Sequence, residues 1–427
     1  MIDADLVVAG IGELATSEGR TPRLGQDLDR LRVVQDAAVA CRDGHIVFAG
    51  SRQEFQARVR PLPGATTVDA EGGTVLPGFV DAHTHLPFAG WREREFDQRL
   101  RGDTYQAIAA RGGGILSTVA ATREASEDAL AGLVRARLDA MLARGTTTVE
   151  AKSGYGLTLE AELRQLRALR RGAAGHPLEV VPTFLGAHTI PPEHRQDRAA
   201  WVRLLVEEAL PAVAAEGLAE YADAFVDAHA FTPDEARAVL EAAGRAGLGV
   251  RLHADQLADD GGAALAASLR AASADHLEHV SAEGIDALAR AGTTAVLLPA
   301  AGFFLRSAQR PPARRLIEAG VPVALATDFN PGTCPTESMP LILVFGCLWA
   351  GLTVDEAITA ATLNAAHALG RADRTGSLEE GKRADLVVHG VPGRHHLVYR
   401  FGDSRVRTVI AGGKVVYQAP RTAAPAY

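Results

Sequence analysis

His83-Thr84-His85 follows directly on the apolar run Gly78-Phe79-Val80-Asp81-Ala82. If that run is a strand, residues two apart point to the same side. His83 and His85 then present two imidazoles to one ion, a ligand type that suits zinc and iron. An HxH pair alone is a weak signal. Two further runs add to it: Val250-Arg251-Leu252 leads into His253-Ala254-Asp255-Gln256, and Ala324-Leu325-Ala326-Thr327 leads into Asp328-Phe329-Asn330. Three imidazoles and a carboxylate converging on one mouth leave a coordination position open, the pattern of a catalytic metal site. Another run continues into Asp275-His276-Leu277-Glu278-His279. It offers His276 either as a base or polarising group beside the metal water, or as a structural hydrogen-bonding histidine.

These residues need a scaffold that brings strand ends together. The middle of the chain supplies eight short apolar runs: Val75–Asp81, Thr146–Glu150, Glu179–Phe184, Asp223–Val226, Val250–His253, Ala274–Glu278, Thr294–Leu298 and Val321–Thr327. Between them lie Ala- and Leu-rich amphipathic segments, clearest at Ala129–Ala143 and Glu160–Arg171, with charged faces opposite apolar ones. Eight strands alternating with helices predict a (β/α)8 barrel, a TIM-like α/β fold, with a doubly wound open sheet as the rival. In the barrel, chemistry belongs at the C-terminal ends of the strands, where the polar residues fall.

Both chain ends read differently. Leu6-Val7-Val8, Ala38-Val39-Ala40 and Ile46-Val47-Phe48 at the start are short strands set off by turn residues. So are Asp385–Val388, Val406–Ile410 and Lys414–Tyr417 at the end. The termini are expected to meet in one small β-sandwich domain, residues 1–74 with 373–427, around a barrel of residues 75–372.

The chain has 427 residues and a formal charge of −8, from 44 Lys+Arg against 52 Asp+Glu. That balance lacks the basic footprint of a general nucleic-acid binder. A composition of 47% hydrophobic and 22% charged residues is globular, not disordered. The three scattered cysteines, Cys41, Cys334 and Cys347, fit a reducing compartment better than a disulfide framework. The start, Met1-Ile2-Asp3-Ala4-Asp5, has no basic and apolar leader pattern, and the uncharged stretch between Glu337 and Asp355 is interrupted by Pro340, Gly346 and Gly351. No membrane association and a cytoplasmic location are expected. The Gly112–Gly114 run lacks the Lys-Ser/Thr ending of a phosphate loop and predicts a loop near the mouth.

Pro77-Gly78-Phe79-Val80-Asp81-Ala82-His83-Thr84-His85 is similar to the amidohydrolase superfamily, as is Gly376-Ser377-Leu378-Glu379-Glu380-Gly381-Lys382-Arg383-Ala384-Asp385-Leu386-Val387. Within it the chain resembles the imidazolonepropionase family over most of its length. The segments that carry this are Arg111–Val119, Lys152-Ser153-Gly154-Tyr155-Gly156-Leu157, Thr183-Phe184-Leu185-Gly186-Ala187-His188, Asp328-Phe329-Asn330-Pro331-Gly332-Thr333 and Pro335–Pro340.

The resemblance implies one zinc or iron ion held by His83, His85, His253 and Asp328. Many superfamily members hold two metals through a modified lysine after the fourth strand; here Asp227-Ala228-His229 stands there, so one metal is expected. Lys152 follows the second strand and reads as a structural or metal-supporting residue. The resemblance further implies 4-imidazolone-5-propanoate as substrate, opened to N-formimidoyl-L-glutamate in histidine degradation. Arg92 would bind the carboxylate tail, for which a guanidinium fork is suited. Tyr155 and His188 would contact the ring, and Asn330, Gly332 and Thr333 would hold the opened product. Asp328 would carry a proton from water to the leaving nitrogen, and His276 would stabilise the carbonyl oxygen. Some relatives carry Glu at position 256; Gln256 cannot transfer a proton, so its expected part is to orient the ring. A homodimer is implied. The rival within the superfamily is a nucleobase hydrolase such as a guanine deaminase, which has no use for a carboxylate-binding Arg92. A catalytically dead scaffold would be expected to have lost ligands that this chain retains.

Overall fold

A computed structural model describes residues 1–103, 113–228 and 230–420. Gly112 of the glycine run and His229 lie outside the described residues.

Two eight-stranded sheets share the chain. The first takes β1 (Ile2–Thr16), β2 (Arg32–Arg42), β3 (His45–Ser51), β4 (Val59–Asp69) and β5 (Thr74–Pro77) from the start of the chain. From its end come β14 (Leu386–His389), β15 (Val406–Ala411) and β16 (Lys414–Gln418). The two ends do meet, as expected, and their strands hydrogen-bond into one mixed sheet in the order β16-β15-β14-β5-β1-β2-β3, with β4 parallel to β1. Leu6, Val8, Ile11, Leu14, Val75, Leu386, Val388 and Ile410 form an apolar core on it.

The second sheet is the barrel. Its strands are β6 (Phe79–Asp81), β7 (Thr146–Lys152), β8 (Glu179–Ala187), β9 (Tyr221–Phe225), β10 (Gly249–Ala254), β11 (Ser273–His276), β12 (Thr294–Leu297) and β13 (Val323–Leu325). All pair in parallel and in sequence order. The seam between β6 and β13 closes beyond the strands. Asp328 N donates to His83 O at 3.0 Å, His85 N donates to Phe329 O at 2.9 Å, and Thr84 bridges Phe329 in parallel. The segments carrying three of the four predicted ligands are thus the stitch that closes the barrel.

The run Val75–Asp81 is two strands, not one. Residues 74–77 pair with the terminal sheet and residues 79–81 with the barrel. Gly78 marks the switch: its N–H bonds Asp385 O, just before β14 of one sheet, while Phe79 N bonds Gly145 O, just before β7 of the other. A β-carbon at residue 78 would overlap the Thr147 side chain. The helices Glu127–Leu142 and Leu159–Ala173 stand where periodicity places them, each with an N-cap side chain (Ser126, Thr158) bonded to the first turn. The uncharged stretch after Glu337 is the helix Met339–Leu348, with Met339, Ile342 and Leu343 in the core. Among the described residues no helix is long and apolar enough to cross a membrane.

Candidate active site

The four predicted ligands meet at the C-terminal mouth of the barrel. His83 Nε2 and His85 Nε2 each lie 3.5 Å from Asp328 Oδ1. One nitrogen from each of His83, His85 and His253 lies within 4.8 Å of the others, and the same holds for donor atoms of His83, His276 and Asp328. All five side chains are buried. His276 therefore joins the cluster directly.

The donor set fits a metal ion. His83 Nε2 is buried without a hydrogen-bond partner, although it faces Asp328. An unpartnered buried nitrogen is costly unless something binds it. The imidazoles are also in the ligating, neutral form. Burial, with Lys152 nearby, lowers His85 to about 3 and His83 well below the usual histidine value. Burial lowers His253 to about 4 against the pull of Asp223. Burial pushes the Asp328 carboxyl up. At His276 burial disfavours the charge, but Glu278 (Oε2 3.7 Å from Nδ1), Asp328 and Asp275 together outweigh it, and the pKa is raised. Asp328 (φ +56) and His276 (φ +80) both sit in the left-handed region, a strain that concentrates at functional sites.

Beneath the cluster lies a layer of charge. His83 Nδ1 donates to Asp275 Oδ2 at 2.6 Å. His253 Nδ1 is 3.0 Å from Asp223 Oδ2. Such carboxylates fix the ring and raise the basicity of the ligating nitrogen. Lys152 and Arg251 supply the positive charge, and Glu150 a third carboxylate. Sequence reading singled out none of Asp223, Glu150 and Arg251. Their signal was the charge itself, inside strands that are otherwise buried, where Asp, Glu and Arg are rare unless paired.

The predicted substrate residues ring the mouth. His85 and His188 stack with centroids 5.4 Å apart, and Tyr155 stands edge-on to His188 at 5.3 Å. His188 Nδ1 donates to Gly154 O at 2.9 Å, which leaves Nε2 as its acceptor; burial first, then His85, lowers its pKa to about 4. The turn carrying Tyr155 is built by Glu162, whose carboxylate accepts from Gly154 N (3.0 Å), Gly156 N (2.8 Å) and Leu157 N (2.9 Å). Glu162 is 1% exposed, so it does not belong to the charged outer face that the amphipathic pattern gives that helix. Arg92 Nε donates to Glu95 Oε2 at 2.8 Å, and its guanidinium packs on Gly332. Asn330 spends its amide on the loop after β13: Oδ1 accepts from Gly332 N and Thr333 N, and Nδ2 donates to Asp328 O and Thr333 Oγ1. Thr333 Oγ1 in turn donates to Asp328 Oδ2 at 3.3 Å. Gln256 follows β10 on a loop and is half-buried.

Residues 74–416 match the model of the amidohydrolase family. The chain is 52% identical to the imidazolonepropionase of Symbiobacterium thermophilum over 97% of its length and 98% of the relative's. The chain belongs to the imidazolonepropionases of the amidohydrolase family. It is similarly 49% identical to the imidazolonepropionase of Geobacillus kaustophilus, over 96% of this chain and 97% of that one. Among solved structures, a zinc-bound adenosine deaminase from Xanthomonas campestris superposes with a TM-score of 0.70 at 21% identity, covering 97% of this chain and 93% of that one. A guanine deaminase from E. coli superposes with a TM-score of 0.67 at 18% identity, covering 97% and 99%. At those identities the likeness is one of fold. As an imidazolonepropionase-family member, the chain combines that fold with a buried His/Asp metal-binding site.

Proposed function

We propose that the chain opens the ring of 4-imidazolone-5-propanoate by hydrolysing its C–N bond, giving N-formimidoyl-L-glutamate, with one zinc or iron ion held by His83, His85, His253 and Asp328. The observation that carries the reading is the coupling of this cluster to a cation on the same rim. Arg92 packs on Gly332, and Gly332 and Thr333 are tied through Asn330 to Asp328. A ring over the cluster can thus leave its carboxylate tail to the Arg92 fork.

A metal ion held by three imidazoles and a carboxylate supplies an acidified water at neutral pH and polarises a carbonyl oxygen. The protein groups do the rest. Asp328, its carboxyl raised by burial, takes a proton from the attacking water and passes it to the leaving ring nitrogen. His276, its pKa raised by the nearby carboxylates against burial, donates to the carbonyl oxygen as it gains charge. Tyr155 and His188 line the ring, with His188 Nε2 as an acceptor. Gln256 orients the ring through its amide, which cannot carry the proton itself. Asn330, Gly332 and Thr333 form the loop that keeps the tail end of the opened product. The same reading expects a cytoplasmic location, with which the three free cysteines agree, and a homodimer, which light scattering on a gel-filtration column tests.

The experiment is an absorbance assay on metal-analysed protein with freshly generated imidazolone propionate, with and without chelator. Chelator-sensitive loss of the imidazolone band with formimidoyl-glutamate as product is expected. Turnover of guanine in place of imidazolone propionate, unaffected by Arg92→Ala, would overturn the reading.

A further inference from the structure

We infer that Lys152 is a positioning residue for the metal site: one buried ammonium holds both carboxylates that orient the ligand histidines His83 and His253. The inference rests on the metal-site reading above and concerns a residue that touches neither metal nor substrate.

The geometry is that of one hub. Lys152 Nζ is 2.8 Å from Asp223 Oδ2 and 3.8 Å from Asp275 Oδ2, and it donates to Glu150 Oε1 at 2.8 Å. The oxygens facing Lys152 are the ones that face the histidines: Asp275 Oδ2 accepts from His83 Nδ1 at 2.6 Å, and Asp223 Oδ2 is 3.0 Å from His253 Nδ1. Lys152, Glu150, Asp223 and Asp275 are all closed to bulk solvent, so salt screens the contacts little. The hub also reaches the backbone between the paired histidines. Glu150 Oε2 accepts from Thr84 N at 3.1 Å, and Lys152 N donates to Thr84 O at 2.9 Å. A side chain from β7 thereby sets ring orientations on the segments after β6 and in β10, two of the strands whose ends converge on the metal.

An uncharged residue here leaves Asp223 without its cation and Asp275 with Arg251 alone, whose Nη2 is 3.5 Å from the same Oδ2. Asp223 is then held only through Oδ1, which accepts from His253 N at 3.2 Å, and the oxygens that face the two imidazoles lose the charge they share. Outer partners of this kind are worth about 10–100-fold in metal affinity. A merely structural lysine would change melting temperature without changing the geometry around the ion.

The test compares the wild-type chain with Lys152→Met in two readouts: zinc affinity by competition with a chromophoric chelator, and the visible spectrum of the cobalt(II)-substituted protein. A zinc dissociation constant raised about 10–100-fold, together with a shifted cobalt spectrum, is expected in a variant with wild-type circular dichroism. An affinity and spectrum equal to wild type overturn the inference. If Lys152→Met does not fold, the double variant Glu150→Gln/Lys152→Met, which deletes one charge of each sign, is read by the same two measures. Failure of both to fold also overturns it, because Lys152 is then a folding residue. A wild-type chain that binds no zinc or cobalt would overturn the metal-site reading itself, an outcome distinct from the others.

Discussion

Gly332 makes the room that the Arg92 guanidinium fills. A β-carbon at residue 332 would overlap Nη1 of Arg92 and lie 2.8 Å from its central carbon. The backbone at Gly332 is not in the left-handed region, so alanine fits the chain conformation there. Gly332→Ala should therefore leave the fold intact and push the arginine fork aside. Loss of a charge-assisted contact of about 1.5–3 kcal/mol corresponds to a KM roughly 10–100-fold higher, with kcat changed far less. Steady-state kinetics beside a thermal melt check this. An unchanged KM would mean that Arg92 does not hold the substrate tail from its present position.

Glu162 tests the opposite wall of the mouth. Its carboxylate is the acceptor for three backbone N–H groups of the turn around Tyr155, and Gln165 Oε1 accepts from a fourth, Tyr155 N, at 3.1 Å. Glu162→Ala strands buried donors, so a loss of about 2–4 kcal/mol in unfolding free energy is expected. The freed turn should also lower kcat/KM, since Tyr155 and His188 lose their mutual placement. Glu162→Gln, which keeps an acceptor oxygen but cannot serve every donor, should fall between. Denaturant melts and kinetics with equal values for all three proteins would show that the turn is held by other contacts.

What the sequence discloses and what it hides follow from two different ranges of interaction. His83, His85, His253 and Asp328 are legible because each interrupts or ends an apolar run, and a barrel has only one mouth to bring such ends to. Glu162 is not legible, because periodicity assigns it to a charged helix face while the first turn of that helix sits over the Tyr155 turn. Gly78 hides a change of sheet because β5 and β6 run on in one line, with no polar residue to mark the break. Asp223, Glu150 and Arg251 make sense only as a set contributed by three strands, and no local pattern assembles them.

The unpartnered nitrogen of His83 predicts a stability linked to metal. A ligand that binds only the folded state stabilises it by RT ln(1 + [L]/Kd), about 4 kcal/mol at a thousandfold excess over Kd. Stripping the ion should lower the melting temperature and leave the secondary structure in place, because the barrel seam is closed by backbone bonds from His85 and Asp328 rather than by their side chains. Zinc or iron added back should restore both melting temperature and turnover. A melting temperature indifferent to chelator and metal would contradict the ligand set.

His389 gives the terminal sheet a predictable acid weakness. It lies on β14, fully buried against Phe79 with ring centroids 5.8 Å apart, and neither ring nitrogen has a hydrogen-bond partner. Burial alone lowers its pKa from 6.5 to about 3. In the unfolded chain the ring is free to protonate near 6.5, so between those values the unfolded state binds more protons than the folded one. Stability must then rise with pH across that window. The contribution is fully present above pH 6.5 and is lost as the pH falls towards 3, with a slope of up to about 1.4 kcal/mol per pH unit. His389→Leu removes the titrating ring and should flatten this limb while leaving stability at pH 8 within about 1.5 kcal/mol of wild type. Urea melts of both proteins from pH 4.5 to 8 measure the difference directly. Since the buried histidines of the active site titrate alike in the two proteins, their share cancels, and parallel curves would show that His389 does not carry the effect.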